Sequence, residues 1–138
     1  MSPLPESERP MTRHATPDAL TPLSFHILLA LTDQARHGYG IIKEIEVRTD
    51  GRANPSTGSL YLALQRMEQD GLIEDAPDPP GPEVDARRRY YRITRAGRAA
   101  AAAESRRMAE LVGVAMEKRL LGEGALKDLL AAEGAGDE

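Results

Sequence analysis

Five guanidinium groups fall within nine residues of this chain: Arg87, Arg88, Arg89, Arg92 and Arg95, with Tyr90 and Tyr91 among them. A guanidinium is permanently charged and presents a fork of N–H donors that matches phosphate oxygens. Such a cluster is suited to holding a polyanion. A second set lies upstream in NPSTGSLYLALQRMEQDG, residues 54–71. Ser56, Thr57, Tyr61 and Gln65 supply hydroxyls and an amide on one side of a predicted helix, with no charge before Arg66. Groups of this kind approach phosphates and base edges closely, and Gln65 has the donor–acceptor pair that adenine matches. The plainer alternative for this stretch is a surface helix with an ordinary polar face.

Other chemistries are poorly supplied. The chain has no cysteine, which excludes disulfides, thiol nucleophiles and Cys-based zinc sites. His14, His26 and His37 lack metal-ligand spacing, so His26, inside an apolar run, reads as a packed histidine. Glu44 and Glu46 lie on adjacent faces of a wet helix and need no catalytic explanation. Gly38-Tyr39-Gly40 is a lone GxG with no strand expected before it, hence no dinucleotide fingerprint. No phosphate loop is present, and neither an enzyme nor a cofactor is expected. No apolar run approaches a membrane span and no signal pattern opens the chain, so a cytoplasmic protein is expected. The formal net charge is −4, but residues 123–138 alone supply that deficit. The remainder is balanced, and a nucleic-acid binder needs a local basic patch, not a basic total.

The elements that would position these residues follow from periodicity and punctuation. Residues 1–19 are rich in Pro, Ser, Thr and charge and read as a flexible N-terminal arm, with Arg9, Arg13 and His14 as its basic groups. Thr21-Pro22 starts a first helix through LSFHILLALTDQ, whose apolar surface is wide enough that Phe25 and Leu28 are candidates for a partner subunit. Tyr39 opens a second helix through Thr49; residues 50–54 form a turn; Ser56 caps a third helix that Gly71 stops. Gly71–Asp75 and Arg88–Thr94 read as strands flanking the turn-rich tip PDPPGPEVD. On the second strand Tyr91 and Ile93 face one way, and Arg88, Tyr90 and Arg92 the other. Thr94 then caps a long helix of about 25 residues, roughly 38 Å. Its stripe of Met108, Val112, Met116 and Leu120, with Leu111 and Ala115 beside it, outreaches a small domain and is the candidate dimer interface. A short helix in ALKDLLAA and an acidic tail complete the chain.

The expected fold is therefore mainly α (α+β): a winged helix-turn-helix with a two-stranded wing over residues 20–94, a dimerisation helix over 95–122, and a short helix and tail over 123–138. At this point HGYGIIKEIEVRT, PSTGSLYLALQRMEQDGLIE and RRRYYRITRAG, in this order, resemble the pattern of PadR-like transcriptional regulators across roughly residues 20–100. The short C-terminal part resembles the compact branch of that family. The resemblance implies a homodimer joined through the last long helix and bound to double-stranded DNA at a palindromic operator, hence a nucleoid location. It further implies a repressor, commonly one released by a small aromatic effector. It carries Tyr39 and Lys43 into the site from the second helix, Pro55, Ser56 and Tyr61 from the third, and Arg88 and Arg89 from the wing. The candidate DNA contacts are then Tyr39, Lys43, Asn54, Ser56, Thr57, Ser59, Tyr61, Gln65, Arg88, Arg89 and Arg92. Three features depart from the family: Leu62 where a basic residue often follows the tyrosine, Ser59 where threonine is usual, and a proline-stiffened tip. The first helix has no tryptophan to build a flat aromatic slot. The alternative function is a winged-helix protein-interaction module without DNA binding.

Overall fold

Three helices begin on side-chain caps at residues that the sequence marks out. Thr21 Oγ1 accepts the Ser24 N–H at 3.1 Å, with Pro22 at the position where a missing N–H costs nothing. Ser56 Oγ accepts the Ser59 N–H at 3.1 Å. Thr94 Oγ1 accepts the Gly97 N–H at 3.0 Å and donates to the Gly71 carbonyl at 2.6 Å, tying the last long helix to the end of the third.

The computed structural model describes residues 20–78 and 88–136. Its elements are α1 (Pro22–Leu31), β1 (Arg36–His37), α2 (Gly38–Arg48), α3 (Thr57–Gln69), β2 (Ile73–Ala76), β3 (Tyr90–Ile93), α4 (Arg95–Glu117) and α5 (Glu123–Gly136). The molecule is mainly helical, with a small antiparallel sheet ordered β1-β3-β2. The N-terminal arm, the tip from residue 79 onward and Arg87 lie outside the described residues.

The wing therefore differs from the two-stranded expectation. A third strand precedes α2, pairing Arg36 with Tyr91 and His37 with Tyr90. This also corrects the expectation that no strand leads into Gly38-Tyr39-Gly40. At two residues β1 is too short to show an alternation in sequence. It corrects a facing as well. Tyr90, expected on the outer side with Arg92, is buried, because His37 meets it edge-on with ring centroids 5.2 Å apart.

Helix ends explain the other boundary shifts. At the end of α3 the Leu72 N–H reaches the Met67 carbonyl at 2.9 Å and the Gly71 N–H reaches Glu68 at 3.1 Å. This 6→1 and 5→2 pairing requires a left-handed residue, supplied by Gly71 at φ 78°. Gly71 and Leu72 are thus spent on the cap, and β2 starts at Ile73. The same closure ends α4 early: Leu120 N–H to Ala115 at 2.8 Å, Arg119 N–H to Met116 at 3.0 Å, with Arg119 at φ 64°. A non-glycine in this role gives no sequence signal, which is why the expectation ran on to residue 122. Leu120 consequently lies past the helix, 79% exposed, and not on its stripe. After the break, α5 starts with Glu123 in its first turn, where a carboxylate suits the helix dipole, and runs to Gly136, longer than the short helix expected.

The core draws on α1, α2, α3, β2 and β3. Ile27, Leu28, Ala30 and Leu31 of α1 meet Ile41 and Ile45 of α2, Leu60, Leu64 and Met67 of α3, and Ile73 and Tyr91 of the sheet. Each larger side chain buried this way contributes about 2 kcal/mol from water exclusion. Leu28 is fully enclosed in this core. Its expected place in a subunit interface is therefore corrected: the side chain is consumed within the protomer. Phe25 keeps partial exposure. The chain divides into two units, Met1–Glu104 and Ser105–Glu138, and the first turns of α4 fall in the first of them. Ala100 and Ala101 pack on the core, and a Cβ at Gly97 would collide with the Leu72 carbonyl oxygen. In the second unit, Met108, Leu111 and Val114 of α4 are exposed, as are Leu129 and Leu130 of α5, while Val112, Ala115 and Met116 are half-buried.

Candidate nucleic-acid interface

The turn between α2 and α3 is pinned by one hydroxyl. Thr49 Oγ1 donates to the Ile45 carbonyl at 2.8 Å and accepts the Ala53 N–H at 3.0 Å, while the Arg52 N–H closes on the Thr49 carbonyl at 3.1 Å. Pro55 then excludes helix before it, and Ser56 opens α3. With Leu60, Leu64 and Met67 drawn inward, the opposite face of α3 must look outward. All eleven candidate contacts are exposed: Tyr39, Lys43, Asn54, Ser56, Thr57, Ser59, Tyr61, Gln65, Arg88, Arg89 and Arg92.

Four of them gather although they come from α2, α3 and the segment just before β3. Lys43 Nζ lies 6.0 Å from the Tyr39 ring centroid and Arg88 Cζ lies 5.6 Å from it, so two cations approach one ring. Tyr61 of α3 reaches back to α2: a Cβ at Gly38 would overlap the end of its ring. The absence of a side chain at that point leaves room for the end of the Tyr61 ring at the start of α2. His37 completes the group. Its Nδ1 accepts the Gly40 N–H at 3.0 Å, capping α2, and its ring stacks on Tyr39 at 6.4 Å. Arg88 Nη1 lies 3.0 Å from His37 Nε2. His37 and Gly38 were missed from sequence. A histidine is an unusual cap, but its position three residues before the Gly40 amide was a readable signal.

The other wing arginines are engaged differently. Arg89 bridges Glu68 of α3 and Asp75 of β2, and its guanidinium lies 5.0 Å from the Tyr91 centroid. The hydrogen bond to Asp75 holds its proton still more firmly than usual. Arg92 pairs with Glu74 across the ladder at 2.8 Å. These two charges are matched by carboxylates of the sheet and α3, whereas the Arg88 guanidinium lies over the Tyr39 ring and against His37.

Behind α2, Arg48 binds Glu44 through two hydrogen bonds of 2.9 Å and also reaches the His26 carbonyl at 3.2 Å. Its Nη1 lies 3.2 Å from His26 Nδ1, which accepts while the ring is neutral. Burial, then the Arg48 charge, lower the His26 pKa, against a smaller opposing pull from Glu44. His26 is thus a packed, hydrogen-bonded histidine. Among the described residues no cluster of His, Asp or Glu could hold a metal, and no helix is long and apolar enough to cross a membrane.

Comparison with known proteins agrees with this arrangement. The model of the transcriptional regulator PadR-like family matches residues 27–103. The transcriptional regulator Rv3488 of Mycobacterium tuberculosis is 40% identical over 87 residues, covering 62% of this chain and 75% of that protein. A PadR family transcription regulator from Clostridium difficile has the same fold at TM-score 0.59 and 26% identity, over 72% of this chain and 99% of that one. Bacillus subtilis PadR, solved in complex with operator DNA, shares the fold alone, at TM-score 0.50 and 18% identity over 60% of this chain and 46% of that one. The chain belongs to the PadR-like family, whose members are transcriptional regulators and not enzymes.

Proposed function

We propose that this regulator works as a homodimer that binds a palindromic duplex operator and represses transcription, with a small aromatic molecule modulating its grip. The observation that carries the DNA-binding part is the gathering of Lys43 and Arg88 about the Tyr39 ring, with Tyr61 of α3 seated against Gly38. α3 enters the major groove, with Thr57, Ser59, Tyr61 and Gln65 toward the DNA and Asn54 and Ser56 at its mouth. Lys43, Tyr39 and Arg88 hold phosphates; Arg92 and Arg89 act mainly through their carboxylate partners. The Bacillus subtilis relative's operator complex supports the choice of partner.

Met108, Leu111 and Val114 on the outer surface of α4 support dimerisation, with Val112, Ala115 and Met116 beside them and Phe25 contributing from α1. A dimer would place two α3 helices about 34 Å apart, one DNA turn. The effector part rests on family membership alone. The exposed Leu62 is the one observation that favours a protein partner instead.

Fluorescence anisotropy with duplexes tiled across the DNA flanking the gene, at two salt concentrations and with a shuffled control, tests the proposal. Selective binding that weakens with salt is expected. Equal, weak binding to every duplex would favour the protein-interaction module. Sedimentation of the same samples tests the dimer, and adding phenolic acids to the bound complex tests the effector.

A further inference from the structure

Leu62 stands on the outward face of α3 with 71% of its surface exposed. Its neighbours there are Gly58 and Ser59 one turn before, and Gln65 and Arg66 one turn after. Gly58 is the second oddity. Its φ is not in the left-handed region, and a Cβ at that position would meet nothing within 4 Å. Neither backbone geometry nor packing inside the protomer calls for glycine, although glycine is among the weakest helix formers. An exposed leucine beside an open notch is thus unexplained by the fold.

In a major groove the pair has a use. The thymine C5-methyl is the apolar group that a base pair presents on that edge, and an aliphatic side chain can cover it. A missing side chain at Gly58 lets the backbone approach the base edge. The surroundings favour DNA over a protein partner for this leucine. Arg66 is the one charge in residues 57–66 and its sign suits phosphate, while Glu68, the next acid along, is taken up by Arg89. We infer that Leu62, seated beside the Gly58 notch, reads a thymine methyl in each half-site, with Gln65 contacting the neighbouring base pair. This rests on the DNA-binding reading above.

The test uses full-length protein and the Leu62→Ala variant, each put through selection from a random duplex library. The winning duplex is then resynthesised with deoxyuridine in place of each thymine in turn, which removes only the methyl. Removing one covered methyl should weaken native binding about fourfold at one thymine per half-site. Leu62→Ala should be indifferent to that change and should select duplexes with relaxed preference there. Gly58→Ala should raise the melting temperature slightly yet weaken binding to the same duplex; unchanged binding would remove the notch from the inference. Selective binding without methyl sensitivity, or equal sensitivity in both proteins, would overturn the role of Leu62 and leave the DNA-binding reading standing. Enrichment of no duplex by the native protein would overturn both and turn attention to a protein partner.

Discussion

The two sides of the wing place neighbouring arginines in different surroundings. On the side toward α3, Arg89 joins Glu68 and Asp75 and so fixes the sheet to the third helix. On the side toward α2, Arg88 lies over the Tyr39 ring, which Lys43 also approaches, and against His37. The residue type is the same and the positions are adjacent. What differs is the set of groups each guanidinium faces: two carboxylates and a ring for Arg89, and the rings of Tyr39 and His37 for Arg88. A basic cluster in sequence is therefore not one functional unit.

The comparison can be broken at the base that both sides share. Gly97→Ala would press a Cβ into the Leu72 carbonyl, backbone that cannot step aside. A loss of about 2–3 kcal/mol is expected, seen as a lower urea midpoint, with DNA binding lost in proportion to unfolding. Gly38→Ala acts differently, because the atoms it strikes are the end of the Tyr61 side chain. Stability should change by less than about 1 kcal/mol while DNA affinity falls about tenfold as Tyr61 is displaced. Unchanged affinity would show that the seat of Tyr61 is irrelevant to binding.

Two single variants sharpen the contrast. Arg88→Ala should leave the melting temperature nearly unchanged and lower the slope of log K against log salt by about two for a dimer. Arg89→Ala should destabilise by about 1 kcal/mol at low salt, less at high salt, because its partners are surface carboxylates, and should change the salt slope little. Equal slopes for the two variants would erase the distinction.

The smallest expected effect concerns His26, away from the wing. Its pKa is held below the ordinary 6.5, chiefly by burial and then by Arg48. The unfolded chain then binds the proton more readily than the folded one. The contribution to stability is complete above pH 6.5 and is lost as pH falls from there through the folded value. Urea midpoints at pH 7.5 and 5.5 should separate more for the native protein than for His26→Gln.

Much of this was legible because it is local. The Thr21, Ser56 and Thr94 caps, the left-handed Gly71 and the inward Leu60, Leu64 and Met67 are all determined by residues within one or two helical turns of each other, so spacing along the chain reports them. The outward placing of Thr57, Tyr61 and Gln65 on α3 followed from the same periodicity. What the sequence could not decide by itself depends on partners far along the chain. β1 exists because Arg36 and His37 find Tyr91 and Tyr90 more than fifty residues away, and that pairing buries Tyr90. Leu28 belongs to the core because three other elements close over α1. Arg89 and Arg88 are told apart by Glu68, Asp75, Tyr39 and His37, none of them adjacent in sequence. Periodicity and capping act through nearest turns, whereas charge matching and strand pairing depend on distances that only the folded chain sets.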